Sequence, residues 1–310
     1  MKPFRKNLAI TFDGGGLRGI IVTRALMALE KELGHTVHES ATLLVGSSTG
    51  SIIASAIASG FSAAEINTLY MQLGNDIFKK SWRTIPVLGF LARYRYSQAP
   101  LKAALQAKFL DKKVGDFWNV DRPVDLLITT FDLEQNRTRY IKSWKSEYID
   151  WPLVDAVLAS SAAPTYFPVL QGRYTDGGVG SFNNPCYLAA YEAQYCLEWK
   201  PEETTLISLG TGRTPPSVHA GDPLKWYIWN WLNPLLGAFM DSSNDQQVNV
   251  VDTFFKELDF RRFQVDMRES IELDDPSQLP ALIKYGDEMG EMVLNDRYDR
   301  AQDIKVMRAI

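Results

Sequence analysis

Two segments of this chain run from a buried strand through a glycine turn directly into a helix. The first strand, residues 7–12, precedes three glycines, and apolar residues at helical spacing follow over residues 17–33. The second strand, residues 42–45, meets Gly46, and a helix rich in alanine and isoleucine follows over residues 49–58. Strands that alternate with helices form parallel sheets, because each crossover returns the chain to the same end of the sheet. The pattern therefore predicts an α/β fold with a central, mostly parallel sheet.

The rest of the chain continues in the same way. Helices are predicted at residues 63–79, 153–161, 185–199 and 278–294, and strands at residues 124–131, 138–143, 174–176, 204–209 and 260–267. No internal repeat, low-complexity segment or linker is visible, so we predict one domain over residues 1–310. The motifs described below lie within residues 7–212. Residues 213–310 are less diagnostic and are candidates for a lid or for elements that bind lipid or a regulator.

The composition argues against several classes of protein. The 310 residues carry a net charge of −4, whereas nucleic-acid binding requires a positive field. The two cysteines, Cys186 and Cys196, favour a reducing compartment over a disulfide framework. The first residues are basic but lack the apolar stretch of a signal peptide, and no apolar run reaches transmembrane length. We therefore expect a cytoplasmic protein that does not bind a nucleic-acid polymer.

The segment Gly46-Ser47-Ser48-Thr49-Gly50 has the G-x-S-x-G form of a nucleophile elbow. In such an elbow, a tight turn between a strand and a helix exposes a serine hydroxyl, and flanking glycines avoid a clash. Only Ser48 has a glycine two residues away on both sides, which makes Ser47 the weaker candidate. The bare pattern has little specificity, but its place between a predicted strand and a predicted helix favours Ser48 as a nucleophile.

A second glycine motif, Asp13-Gly14-Gly15-Gly16-Leu17-Arg18-Gly19, joins the first strand to the first helix. Backbone N–H groups at the start of a helix bind anions, and two uses fit. One is an oxyanion hole for an acyl-transfer intermediate, and the other is a dinucleotide fingerprint of the form G-x-G-x-x-G. The dinucleotide interpretation also requires an acidic residue at the end of the second strand, where this chain has serines. A non-catalytic nucleotide-binding module remains the alternative to an enzyme.

A nucleophilic serine needs a base, and the chain offers few histidines. They are His35, His38 and His219. A triad of Ser48, an aspartate and His219 stays open. Asp176 is the better candidate for the base, because Gly177 and Gly178 leave it open at the end of a strand. The alternative role for Asp176 is that of a turn former, which is common for Asp-Gly.

Taken in order, these motifs resemble the patatin-like phospholipase family. The resemblance rests on the two glycine motifs, on residues 159–168 (ASSAAPTYFP), on Asp176-Gly177-Gly178 with Asn183-Asn184-Pro185, and on residues 207–212 (ISLGTG). It implies a three-layer α/β/α fold and a serine hydrolase that cleaves acyl esters of membrane phospholipids or other acyl lipids. It also implies that no metal or cofactor takes part.

The resemblance further implies which residues form the site. Ser48 would be the nucleophile and Asp176 the base of a Ser–Asp dyad. The oxyanion hole would be formed by Gly14, Gly15, Gly16 and Arg18. Some bacterial members of the family are effectors of antiphage defence that a cyclic dinucleotide switches on. Nothing in this sequence marks that switch, so activation by a cyclic dinucleotide remains an open hypothesis.

Two aromatic stretches are candidates for contact with lipid. Residues 226–240 carry four aromatic side chains near their start, namely Trp226, Tyr227, Trp229 and Trp231. Residues 85–96 place apolar side chains beside Arg93 and Arg95. The alternative is that both stretches belong to the core or to a homodimer surface. We expect peripheral contact with a membrane during catalysis and leave a homodimer open.

Overall fold

The computed structural model of the protein describes residues 1–79, 92–118, 122–215, 218, 221–227 and 230–299, without the side chains of residues 73, 75 and 232–242. Within these ranges, seven strands form one sheet. The strands are β1 (Asn7–Phe12), β2 (Leu43–Ser47), β3 (Asp125–Asp132), β4 (Arg137–Lys142), β5 (Tyr174–Asp176), β6 (Thr204–Leu209) and β7 (Asp259–Phe263). Their order is β4-β3-β2-β1-β6-β7, with β5 also paired to β3. Only β4 and β5 run antiparallel to their neighbour among these strands, which confirms the predicted mostly parallel sheet.

Helices cover both faces of this sheet. They are α1 (Gly19–Leu33), α2 (Val37–Ser40), α3 (Thr49–Ala58), α4 (Ala63–Ile77), α5 (Ala99–Phe109), α6 (Leu153–Ser160), α7 (Cys186–Tyr191), α8 (Leu232–Phe254) and α9 (Leu279–Leu294). Ile10 and Phe12 of β1 pack in one buried cluster with α1, α3 and α9, while Ala9 packs in a second cluster with α7 and α8. Neighbouring side chains of a strand point to opposite faces, so this division shows the three predicted layers.

Two distant segments of the chain meet on one edge of β3. The opposite edge is occupied by β4, which pairs with β3 from Leu127 to Asp132. The edge away from β4 is shared by β2 and β5. On it, β2 pairs with β3 as far as Ser47, which lies opposite Thr129, and the last residue of β5, Asp176, lies opposite Thr130. The carboxyl ends of β2 and β5 therefore face each other at adjacent positions of β3.

Most predicted elements are found, with differences at their ends. The predicted strand over residues 260–267 stops at Phe263, because its partner β6 ends at Leu209 opposite it, and beyond that point only an isolated bridge joins Arg213 to Asp266. The predicted helix over residues 185–199 divides into α7 and a π-helical turn over Glu192–Cys196. Both Cys186 and Cys196 are free thiols. None of the described helices is long and apolar enough to cross a bilayer.

Candidate functional site

Ser48 lies in a sharp turn between β2 and α3. Its backbone adopts φ 51° and ψ −123°, a strained conformation for a residue other than glycine. The turn is packed so closely that a Cβ on Gly46 would lie 2.2 Å from the Gly50 carbonyl oxygen. A Cβ on Gly50 would lie 2.1 Å from the carbonyl oxygen of Phe12. The two glycines thus have the steric role expected for a nucleophile elbow, with the half-buried Ser48 at its tip.

Asp176 reaches the same place from β5. The side chain is buried, and its Oδ1 accepts a hydrogen bond from the Gly178 N–H at 2.8 Å. Burial raises the pKa of Asp176 to about 6, although the Ser48 hydroxyl and the Gly178 N–H both oppose that rise. Oδ2 is buried and has no hydrogen-bond partner at normal distance among the described residues. The carboxyl group is therefore shielded from solvent and lies beside Ser48.

The two glycines that follow Asp176 have separate roles. A Cβ on Gly177 would lie 2.2 Å from the Thr129 hydroxyl oxygen and 2.8 Å from the Ser47 hydroxyl oxygen. A side chain there would push β5 away from β3, and with it the carboxyl group of Asp176. Gly178 contributes its backbone N–H to the same carboxyl group.

The glycine loop passes beside Ser48. A Cβ on Gly14 would lie 3.0 Å from the Cβ of Ser48. The Gly14 N–H, however, donates to the carbonyl oxygen of Asn183 at 2.9 Å, so this group is already used, contrary to the expected oxyanion role of Gly14. The N–H groups of Gly15 and Gly16 have no acceptor among the described residues. They are the open donors of the loop.

Arg18 is held by a distant segment of the chain. Its guanidinium donates to the carbonyl oxygen of Ile271, with Nε at 3.0 Å, and the neighbouring Leu17 N–H donates to the carbonyl oxygen of Leu273 at 2.9 Å. A guanidinium held in this way anchors the loop to a distant segment, and a direct oxyanion role for Arg18 stays a prediction.

A buried ion pair holds the start of the glycine loop, and sequence reasoning missed it. Both carboxylate oxygens of Asp13 accept hydrogen bonds from Arg262 on β7, at 2.9 and 2.6 Å. Arg262 also donates to the Ser208 hydroxyl on β6 at 2.8 Å. The only signal in the sequence is the pair Arg261-Arg262 inside a predicted strand, where charged residues are unusual. The pair fixes the end of β1, from which the loop departs.

A hydrogen bond from α6 supports the turn at Ser48. The backbone N–H of Ser48 donates to the hydroxyl oxygen of Ser160, the last residue of α6, at 2.9 Å. Ser160 belongs to the motif over residues 159–168 that contributed to the family resemblance. The structure gives this part of the motif a physical task, which is to fix the backbone of the elbow.

The described histidines are engaged elsewhere. Nδ1 of His35 lies 3.0 Å from the carbonyl oxygen of Thr36, and Nδ1 of His38 lies 2.9 Å from the carbonyl oxygen of Ile57. His219 and Trp229 lie outside the described residues, as do residues 85–91 of the second aromatic stretch. The dinucleotide interpretation loses support, because Gly14, Leu17 and Arg18 donate their backbone N–H groups within the protein.

Comparison with known proteins agrees with the resemblance. The model of a family described as patatin-like phospholipase matches residues 10–190. A cGAMP-activated phospholipase from Pseudomonas aeruginosa is 27% identical over 83% of this chain and 77% of its own length. Patatin-like protein 2 from Arabidopsis thaliana is 27% identical over 90% of this chain and 82% of its own length. Among solved structures, VipD from Legionella pneumophila aligns with a TM-score of 0.48 and 13% identity, over 94% of this chain and 67% of that chain.

Proposed function

Because the chain belongs to the patatin-like phospholipase family, whose members are hydrolases that act on ester bonds, we propose that it is a phospholipase of the A type that cleaves acyl esters of membrane phospholipids. The meeting of β2 and β5 on β3 carries this proposal, since it brings the Ser48 hydroxyl to the Asp176 carboxyl group. The test is release of fatty acid from phosphatidylcholine vesicles and of p-nitrophenol from short-chain esters. Silence in both assays, with and without added cGAMP, would favour a nucleotide-binding module instead.

In the proposed mechanism, Asp176 accepts the proton of the Ser48 hydroxyl while the serine oxygen attacks the ester carbonyl carbon. The N–H groups of Gly15 and Gly16 stabilise the negative charge on the carbonyl oxygen. The C–O bond to the lysolipid breaks, Asp176 returns the proton to the leaving oxygen, and an acyl-enzyme remains on Ser48. Water, deprotonated by Asp176, then attacks the acyl group and restores the serine.

The raised pKa of Asp176 suits this role. A carboxyl group with a pKa of about 6 is ionised at neutral pH, yet it is a stronger base than an exposed aspartate. Its shielded position beside Ser48 lets it take the proton without competition from bulk water. Neither His35 nor His38 lies in hydrogen-bond contact with Ser48, so neither supplies the third member of a triad, and a role for His219 is tested by the variant below.

The pH dependence of kcat/KM follows from this pKa. The base works only when it is ionised, so kcat/KM should fall as the pH drops through about 6 and should level off above pH 7. Initial rates on a short-chain ester between pH 4 and pH 9 measure this profile. A His219→Gln variant is the control, because it should keep the same acid limb. Loss of activity or of the limb in that variant would assign the base to His219.

Contact with a lipid surface is proposed for the aromatic segment over residues 224–231. Leu224 is 91% exposed, Tyr227 65% and Trp231 40%, and the Trp226 and Trp231 rings stack edge to face at 4.9 Å. The segment follows Thr211, whose hydroxyl donates to the Gly14 carbonyl oxygen at 2.7 Å. Exposed tryptophan and tyrosine favour the interface of a bilayer. The exposed side chains of this segment would therefore insert at the membrane surface.

Binding to vesicles tests this contact. A Tyr227→Ala/Trp231→Ala double variant should bind phosphatidylcholine vesicles about 10-fold to 100-fold more weakly, because it loses two large side chains from the interface. Co-sedimentation gives the partition coefficient. Tyr195→Ala is the matched control, since Tyr195 is 60% exposed on the π-helical turn, and it should bind as the wild type does. Equally weakened vesicle binding in both variants, or unchanged binding in both, would show that residues 224–231 are not the membrane-binding segment.

Activation by a cyclic dinucleotide is supported by relatives alone. The proteins named cGAMP-activated phospholipase from Pseudomonas aeruginosa and Vibrio cholerae are 27% and 30% identical to this chain. We carry the same regulation to this chain as part of the proposal, together with a role in antiphage defence. The experiment is the vesicle assay with and without cGAMP. An unchanged rate at saturating cGAMP would remove both ideas while leaving the hydrolase proposal intact.

A further inference from the structure

The segment that holds the glycine loop is itself held by a charged contact. Ile271 and Leu273 accept the hydrogen bonds of Arg18 and Leu17 described above. The next residue, Asp274, accepts a hydrogen bond from the Tyr96 hydroxyl at 2.8 Å. The same oxygen, Oδ2, lies 3.6 Å from Nη1 of Arg95. Asp274 thus ties the segment over residues 271–274 to residues 95 and 96.

Arg95 and Tyr96 are joined in turn to the segment that follows Ser160. Their N–H groups donate to the carbonyl oxygens of Thr165 and Tyr166 at 2.9 and 2.8 Å. The Arg95 guanidinium also lies over the Tyr166 ring, 4.7 Å from its centre. Since Ser160 accepts the N–H of Ser48, a chain of contacts runs from the nucleophile turn through Asp274 to the glycine loop.

The link at Tyr96 has a fixed geometry. Tyr96 is 5% exposed, and its ring packs edge to face on Phe78 at 5.1 Å and against Phe167 at 6.1 Å. Burial and the neighbouring Asp274 carboxylate raise the pKa of Tyr96 well above its usual range, so the hydroxyl keeps its proton and donates. A hydrogen bond from a buried hydroxyl to a carboxylate is among the stronger ones in proteins.

We propose that Asp274 is a positioning residue for the Gly15 and Gly16 donors, an inference that rests on the proposed function of the site. It acts through the carbonyl oxygens of Ile271 and Leu273, which hold Arg18 and Leu17 directly after those donors. Oxyanion donors lose much of their effect when they shift by a fraction of an ångström, because their benefit depends on preorganisation. Asp274 therefore affects the rate of the chemical step more than the binding of substrate.

Kinetics of three single variants and one double variant test the hydrogen bond itself. Asp274→Ala should lower kcat about 10-fold and leave KM within about twofold, a part of the loss known for a missing oxyanion donor. Tyr96→Phe should give the same loss, and the double variant should be no worse than the poorer single variant. Asp274→Asn should stay within about threefold of wild type, because its amide oxygen still accepts the Tyr96 proton. Asp287→Ala, which removes a surface partner of Arg24, is the control and should be unchanged.

Hydrogen–deuterium exchange gives a readout that does not depend on turnover. A peptide covering residues 13–19 should exchange faster in Asp274→Ala and Tyr96→Phe, and at the wild-type rate in Asp274→Asn. Unchanged exchange in Asp274→Ala, an unchanged kcat, or an equal loss in Asp274→Asn would overturn the proposal. If Asp274→Ala fails to fold, Tyr96→Phe decides, since it keeps the buried ring. If wild type has no Ser48-dependent activity, the proposed function fails, and exchange alone still shows whether Asp274 holds the loop.

Discussion

Ser48→Ala is expected to lower kcat for ester hydrolysis by about 10⁴-fold or more, because it removes the atom that forms the acyl-enzyme. The folded structure should persist, since the Ser48 hydroxyl interacts with the Asp176 carboxyl group of the site itself and the backbone N–H to Ser160 remains. The measurement is the release of fatty acid from vesicles, with the melting temperature of the same preparation as the control for folding. Activity within 10-fold of wild type would remove Ser48 from the mechanism.

Asp176→Asn is the companion variant and separates the base from the fold. It should lower kcat by about 10²-fold to 10⁴-fold, the range typical for loss of a general base.

The same substitution should increase the stability of the folded protein at pH 8. The pKa of Asp176 is about 6 in the folded protein, above the ordinary 3.8, so the stability contributed by this group is lost as the pH rises through 6. At pH 8 the variant should be more stable than wild type by about 1–3 kcal/mol, and the difference should shrink toward pH 4.

The second large effect concerns stability. Arg262→Met should lower the free energy of unfolding by about 3–5 kcal/mol, because it leaves the buried Asp13 carboxylate without its bidentate partner. Urea unfolding followed by tryptophan fluorescence gives the value. The double variant Asp13→Asn/Arg262→Met should recover part of the loss, since no unpaired charge remains.

A matched control comes from the surface. Lys113 and Asp150 form an ion pair at 2.8 Å, but their side chains are 51% and 82% exposed. Lys113→Met should therefore change the free energy of unfolding by less than about 1 kcal/mol. A similar small change in Arg262→Met would show that the Asp13–Arg262 pair does not hold the start of the loop.

Local patterns predicted the fold and the two halves of the site. The alternation of strands and helices gave the mostly parallel sheet, because hydrophobic periodicity is set by neighbours along the chain. Gly46 and Gly50 marked the elbow for a steric reason that the structure bears out in the short distances around both positions. The sequence also indicated Asp176 at a strand end, although the meeting of β5 with β2 on one edge of β3 could not be read from either segment alone.

Long-range contacts were not predictable from the sequence. The carbonyl oxygen of Asn183 takes the Gly14 N–H, and that of Ile271 takes the Arg18 guanidinium, across 169 and 253 positions of chain. Backbone acceptors carry no signature in the sequence, so both contacts could be found only in the structure. α5 and α8 were missed for a different reason. Their apolar residues form no clean stripe, and α8 has a polar run over residues 241–247.

The central claim is that Ser48 is a nucleophile activated by Asp176, and a fluorophosphonate probe tests it most directly. Mass spectrometry of the labelled protein should show a single adduct on the peptide that contains Ser48. The adduct should be absent from Ser48→Ala and should form at least about 10-fold more slowly in Asp176→Asn. An adduct on another serine, or labelling of Ser48 at the wild-type rate without the Asp176 carboxylate, would contradict the account.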